Sequence, residues 1–277
     1  MKSSRQPDGQ IQDRSAAMLE IRDLDIKYGN TKAVDGFDMR VRPGEVVSIV
    51  GESGSGKTTV LRSILGLLPG KGRITGGEID YAGRDLAKTN RDDFSEIRGG
   101  EIAVIFQDSG ASLNPTRRVG SQFIEYIEQH EKMPAEETHT KAVRMLERMN
   151  LPDPEEIMER YPFQLSGGQR QRVGIAMAMT FSPKILLADE PTSALDVTTQ
   201  AQIVGELERL NRKYNTAVVL VTHNLGVAAH ISDRIIVMKD GKTVETGTPD
   251  EIINHPKEDY TRQLIQSVPV LDGGADD

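Results

Sequence analysis

One octapeptide limits this chain more than any other feature: Gly51-Glu52-Ser53-Gly54-Ser55-Gly56-Lys57-Thr58, with Thr59 directly after it. The spacing fits the phosphate-loop pattern G-x-x-x-x-G-K-[ST], and the flanks are what such a loop requires. Val46 to Val50 reads as a short buried strand. Val60, Leu61, Ile64, Leu65 and Leu68 recur at helical spacing, with Pro69-Gly70 as the expected stop. Glycines let successive backbone N–H groups turn inward around an anion, and the helix N-terminus adds partial positive charge. Lys57 is placed to reach the β- and γ-phosphates and Thr58 to bind Mg²⁺ through its hydroxyl. A bare glycine-rich strand–helix turn is the alternative, and it leaves Lys57-Thr58 without a reason. The pattern implies a nucleoside triphosphate, ATP or a close relative.

A chain of 277 residues suffices for one large α/β domain or a core with a small subdomain. With 37% hydrophobic and 27% charged residues it has the composition of a globular protein, and no apolar run approaches bilayer length. A membrane role is therefore expected to come through a partner. The net charge of -8 argues against a dedicated nucleic-acid binder. With no cysteine, disulfides and thiolate metal sites are excluded. Residues 1–17 read as a polar, disordered leader without a secretory core, and 267–277 as a short acidic tail.

Strands are expected over Leu19–Ile26 and Lys32–Val41, joined across Tyr28-Gly29-Asn30, and again over Gly76–Tyr81 and Ile102–Phe106. From about 113 to 164 helical patterns take over, Val119, Phe123 and Ile127 on one face and Val143, Leu146 and Met149 on another. This reads as a helical insert. Buried-strand composition returns at Ile185–Ala188 and Val218–Val221, with a covering helix through Ile203, Val204, Leu207 and Leu210 between them. Alternation of strand and helix implies a mostly parallel sheet, closed by a hairpin around Asp240-Gly241. No internal repeat is visible, so the chain holds one nucleotide-binding unit.

Two further stretches carry chemistry. Ser166-Gly167-Gly168-Gln169, after Leu165, opens a helix and offers a hydroxyl and exposed N–H groups to a second anion. Taken alone, the same residues are an ordinary Ser N-cap with a glycine pair. Asp189-Glu190 ends the apolar strand beginning at Lys184. Asp189 is placed to hold Mg²⁺ and Glu190 to polarise an attacking water, where a pair of acids in a solvated turn is the plain alternative.

In this order — the phosphate loop, Gln107, Leu165 to Gln169, Asp189-Glu190, Ser193-Ala194-Leu195-Asp196 and His223 — the chain resembles the ATP-binding cassette ATPases from Met18 to Gln266. The resemblance implies a P-loop NTPase (RecA-like) α/β core with an antiparallel β subdomain and the helical subdomain inserted at about 113–164. It implies that Tyr28 stacks on adenine, against a plain packing role beside a turn. Gln107 would sense the γ-phosphate and Mg²⁺, and His223 would contact the γ-phosphate rather than merely cap a loop. It also implies a head-to-tail dimer in which each Ser166 loop closes over ATP held by the opposite phosphate loop, with Asp196 at the interface. The other histidines, His130, His139, His230 and His255, read as surface or packing residues.

Within that family the chain resembles the oligopeptide, dipeptide and nickel importer branch. The resemblance rests on Ser112-Leu113-Asn114-Pro115, Tyr161-Pro162-Phe163-Gln164, His255-Pro256 and Asp259 to Leu264. It departs from the branch at Ser109-Gly110, where a proline-containing step is usual, and in lacking a C-terminal cysteine cluster. The branch implies an ATPase subunit at the cytoplasmic face of the cell membrane. Its partners would be two permeases received at Asp108 to Phe123, a second cassette (a heterodimer in this branch) and an extracytoplasmic solute-binding protein. The alternatives are another transporter class, for nickel, another solute or export, a soluble ATPase acting on DNA or ribosomes, and a non-hydrolysing regulatory module. Co-purifying permeases separate the peptide importer from another transporter class, a salt-sensitive nucleic-acid complex would revive the soluble ATPase, and the intact Glu190 argues against the last.

Overall fold

The structure is a computed structural model that describes residues 17–89, 94, 96–107, 112–193 and 195–267. The expected leader, Asp108 with Ser109-Gly110, Ala194 and the acidic tail fall outside the described residues in whole or in large part.

Elements follow in the order β1 (Leu19–Tyr28), β2 (Thr31–Val41), β3 (Val46–Val50), α1 (Lys57–Ile64), β4 (Gly72–Tyr81), β5 (Arg84–Asp85) and β6 (Ile102–Ile105). The helical stretch is α2 (Val119–His130), α3 (Ala135–Arg148), α4 (Pro154–Glu159), a 3₁₀ turn at Pro162–Gln164 and α5 (Gly167–Ala178). Then come β7 (Ile185–Asp189), α6 (Val197–Tyr214), β8 (Ala217–Thr222), α7 (Leu225–Ile231), β9 (Arg234–Lys239), β10 (Lys242–Gly247), α8 (Pro249–Asn254) and α9 (Asp259–Gln266).

Two sheets result. One is four-stranded and antiparallel, in the order β2-β1-β4-β5; the other is six-stranded, in the order β10-β9-β3-β8-β7-β6. The second is parallel throughout except for the β9–β10 hairpin. Its central strands read as unbroken apolar runs because both faces are covered. Leu186, Ala188, Val218 and Leu220 pack among the helices α2 to α6. Their neighbours Ile185, Leu187, Val219 and Val221 face the other way, toward α1 and the antiparallel sheet.

The register decides where the chemistry falls. Val50 pairs with Thr222, Asp189 with Val221, and Ile105 with Ala188. The carboxyl ends of β3, β6, β7 and β8 therefore lie along one edge of the sheet, the usual crevice for ligands of an open α/β fold.

Three boundaries and one buried face differ from expectation. Helix α1 stops at Ile64, not at Pro69-Gly70. Gly66 adopts φ +60°, its N–H donates to Ser63 O at 3.0 Å, and Leu67 N–H donates to Arg62 O at 2.9 Å. That is a Schellman closure, which ends a helix before any proline is needed. Tyr28 belongs to β1, and only Gly29-Asn30 turns. Strand β4 begins at Gly72 rather than Gly76, because its first half pairs with β1 while alternating between exposed and half-buried positions. In α3 the buried face is Thr138, Ala142, Met145 and Leu146, with Val143 only partly covered.

The helical stretch is tied to α6 by a polar latch. The Asn150 amide donates to Glu206 Oε1, Arg209 Nε donates to Glu206 Oε2 at 2.9 Å, and Arg209 also donates to Arg148 O. Glu206 is buried, whereas Asn150 is exposed and Arg209 half-buried, so both donors can turn to water when it is removed. Glu206→Ala is expected to cost about 0.5–1.5 kcal/mol, the net worth of an intramolecular hydrogen bond, as measured by urea denaturation.

Candidate active site

Gly56 is the N-cap position of α1, and its φ of 101° places it in the left-handed region; no side chain caps the helix, and its first turn carries no acid. The first N–H groups thus point into a cavity of about 590 Å³ lined by Ala33, Ser53, Gly54, Gly56, Lys57, Thr58, Thr59, Gln107, Glu190 and His223. An uncapped, positive helix end on a glycine loop is an anion cradle.

The loop is held from outside by the β9–β10 hairpin. Gly241 N–H donates to Ser55 O at 3.1 Å, and Asp35 N–H donates to Gly241 O at 2.9 Å, linking loop, hairpin and β2. A Cβ on Gly56 would come within 2.7 Å of Ala33 O, so only glycine lets the loop sit this close. Lys57 is buried, with its ammonium donating to Gly51 O at 2.8 Å and Glu52 O at 2.7 Å across the mouth of the loop. Burial draws its pKa down, against the opposing pull of Glu190, Asp189 and Glu52.

On the facing strand end, the Thr58 hydroxyl donates to Asp189 Oδ1 at 2.8 Å. Burial raises the Asp189 pKa, and the Thr58 bond partly offsets this. Thr58 and Gln107 line the cavity and the buried Asp189 carboxylate stands behind Thr58, together a set of hard oxygen donors suited to Mg²⁺. Among the described residues no cluster of three or more His, Cys, Asp or Glu forms a metal cage. A cation here would thus need phosphate oxygens to complete its shell, as Mg²⁺ at nucleotide sites does.

Glu190 follows Asp189 with φ +46°, unusual for a side chain this size and a local strain of about 1–3 kcal/mol. Its N–H donates to Val221 O at 2.8 Å, so the turn is bolted to β8 while the carboxylate swings toward the cavity. There Oε2 lies 2.9 Å from His223 Nδ1. The sequence assigns these two residues separate tasks; the fold joins them into one hydrogen-bonded pair.

Ser166 to Gln169 and Tyr28 are not in this lining. Tyr28 packs along Gly72, whose added Cβ would come within 2.5 Å of the ring. Ser166 is the N-cap of α5: its Oγ accepts from Gln169 N–H at 3.2 Å, and Gln169 Oε1 accepts from Ser166 N–H at 2.9 Å. The plain N-cap reading therefore holds, and the hydroxyl keeps a proton to donate. Ser166 and Gly167 are exposed. Beside them lie Leu195 and Thr199, and Asp196 caps α6 by accepting from Thr199 N–H at 2.9 Å. The two motifs lie side by side, outside the lining of the chain's own cavity. Sequence reasoning missed the hairpin's grip on the loop; Asp240-Gly241 signalled a turn but not what the turn touches.

A family model described as ABC transporter matches residues 34–193. The oligopeptide transport ATP-binding protein OppD of Bacillus subtilis (strain 168) is 43% identical over 269 residues, 95% of this chain and 75% of its own length. OppD of Escherichia coli (strain K12) is 42% identical over 265 residues, covering 94% and 78%. The dipeptide transport ATP-binding protein DppD of Bacillus subtilis is 43% identical over 260 residues, covering 92% and 78%. Among solved structures, a dimeric post-hydrolysis state of the ATP-binding cassette MJ0796 bound to ADP and Pi superposes with a TM-score of 0.74 at 33% identity, covering 84% of this chain and 99% of that one.

Proposed function

The chain belongs to the ABC transporter family, and from that premise we propose that it is the ATP-hydrolysing subunit of an importer for oligopeptides or dipeptides. The observation that carries the reading is the single cavity bringing together Lys57, Thr58, Thr59, Gln107, Glu190 and His223 at one edge of the parallel sheet.

ATP binds with its phosphates on the N–H groups of Gly54 to Thr59, and its adenine lies toward Tyr28. Lys57 gives up its contacts with Gly51 O and Glu52 O to reach the β- and γ-phosphates. Thr58, Asp189 and Gln107 would hold Mg²⁺, which would draw electron density from the γ-phosphate and screen its charge. Glu190 accepts a proton from the attacking water, and His223 fixes the Glu190 carboxylate and reaches the γ-phosphate. Water is kept out on the open side by a second cassette, which supplies its own Ser166-type loop. The exposure of Ser166 and Gly167, outside the lining of their own cavity, supports this two-chain site. ATP then favours the closed dimer, and hydrolysis releases it. The cassette domain spans 18–266, with residues 113–164 as its helical subdomain.

No helix among the described residues is long and apolar enough to cross a membrane. In this reading the chain works as a peripheral subunit at the cytoplasmic face, on two permeases, with an extracytoplasmic solute-binding protein completing the complex. The similarity to oligopeptide and dipeptide transport ATP-binding proteins supports this assignment. Mass spectrometry of what co-purifies with the tagged chain from detergent-solubilised native membranes tests it. Two permeases and a second cassette are the expected recovery; ribosomal or DNA factors alone would refute transport.

The two-chain site makes a separate prediction. Ser166→Arg is expected to leave ATP affinity of the isolated chain within about twofold of the original, since exposed substitutions away from a site have small effects. The same variant should abolish ATP-dependent association with the partner cassette, as read by light scattering. Unchanged association would end the composite-site model.

A further inference from the structure

The C-terminal tract Asp259 to Leu264 marks the branch in the sequence, but the mechanism above gives it no task. It forms α9, and one of its residues touches the nucleotide machinery. Tyr260 is 8% exposed, its ring packed in a core cluster with Val50, Leu225, Ile235, Val237 and Ile252. Lys239 Nζ stands 4.5 Å from the ring centroid. The hydroxyl passes beyond this cluster and accepts a hydrogen bond from Glu52 N–H at 3.1 Å.

We propose that Tyr260 is a positioning residue of the phosphate loop, holding the loop's first turn through the Glu52 amide so that the N–H groups beyond it stay aimed at the phosphates. The inference deepens the ATP-binding reading and rests on it.

The Glu52 peptide is gripped at both ends: its N–H by Tyr260 and its C=O by Lys57 at 2.7 Å. Phosphate competes for the lysine grip, because the ammonium that binds Glu52 O is the one that must reach the nucleotide. It does not compete for the tyrosine grip. When Lys57 turns to the phosphates, Tyr260 keeps the start of the loop in register with the end of β3. The tyrosine is itself fixed from behind. Glu245, on β10 and buried, accepts from Lys257 N–H at 2.9 Å and Glu258 N–H at 3.2 Å, which pins the chain where α9 begins. The Gly241 bond to Ser55 O holds the loop's middle while Tyr260 holds its start. Two structures following the catalytic strands in sequence thus form an outer clamp on the loop.

The test uses the full chain with Mg²⁺ and ATP in isothermal titration calorimetry. Tyr260→Phe keeps the ring and removes only the acceptor. It is expected to weaken ATP binding about 2–10-fold, the worth of one hydrogen bond, and to speed hydrogen–deuterium exchange at the Glu52 amide. Leu146→Ala, buried on α3 in a different core cluster, is expected to lower the melting temperature while leaving ATP affinity and Glu52 exchange unchanged. Wild-type ATP affinity in Tyr260→Phe, or equal weakening in Leu146→Ala, would overturn the positioning role. Absence of ATP binding by the wild-type chain, or its survival in Lys57→Ala, would instead overturn the reading beneath it, and this inference along with it.

Discussion

Glu190→Gln is expected to slow phosphate release by about two to four powers of ten while leaving ATP binding intact, the share of rate that a positioned general base supplies. The local geometry makes this substitution informative. Glutamine keeps the length of the side chain, and an amide group can still meet His223, whose Nδ1 lies 2.9 Å from the Glu190 carboxylate. The left-handed turn at φ +46° is a backbone property, supported by the bond to Val221 O, and does not depend on the carboxylate's charge. The change therefore removes the proton acceptor and little else. Neither Lys57, across the loop mouth, nor Thr58, bonded to Asp189, loses a partner. Phosphate release with the partner cassette present, beside ATP affinity of the same preparation, checks the result. A rate within tenfold of wild type would mean that another group takes the proton. The trapped dimer expected of this variant also makes it the best bait for recovering permeases.

The local parts of this site were legible because they are written in consecutive residues. A phosphate loop is one strand end, one turn and one helix start, and an acid pair closes one apolar strand. The edge on which they meet was legible too, since a parallel sheet brings every strand's carboxyl end to the same side. What was hidden is tertiary. The end of α1 depends on Gly66, one glycine among several, and only its backbone angle marks it as the stop. The early start of β4 at Gly72 leaves no apolar alternation, because that half of the strand is held by hydrogen bonds to β1 rather than by burial. Gly241 and Tyr260 reach the loop across nearly the whole chain, and no spacing rule links them to it. Tyr260 stood out only as part of a tract resembling a family ending. The place of Ser166 shows the opposite limit. Its cap geometry was readable, but where it faces follows from the way α5 and α6 pack, with Gly168 against Thr199.

Gly51→Ala should produce the largest loss of nucleotide affinity from the smallest change, about 10–100-fold, the worth of one hydrogen bond to a charged group. Two effects combine at this position. Its φ of +150° is one that side-chain-bearing residues rarely adopt, and a Cβ built there would stand 2.1 Å from Met238 O and 3.0 Å from Ser55 Oγ. Strand β9 cannot yield, because β3 pairs it on one side and β10 on the other. The loop must yield instead, and it carries Gly51 O, an acceptor for Lys57, along with it. Stability should fall as well, by about 1–3 kcal/mol for an overpacked interior. Gly29→Ala separates strain from collision. Gly29 has φ +61° but nothing within 4 Å of an added Cβ, so it should lose about 1–2 kcal/mol of stability and no ATP affinity. Calorimetric titration with ATP and thermal melts of the two variants, side by side, give the answer. If Gly51→Ala binds ATP within tenfold of wild type, the contact with Met238 is not what shapes the loop. If both variants lose affinity alike, the chain tolerates no perturbation at its glycine turns, and the loop's close fit against β9 explains nothing special about Gly51.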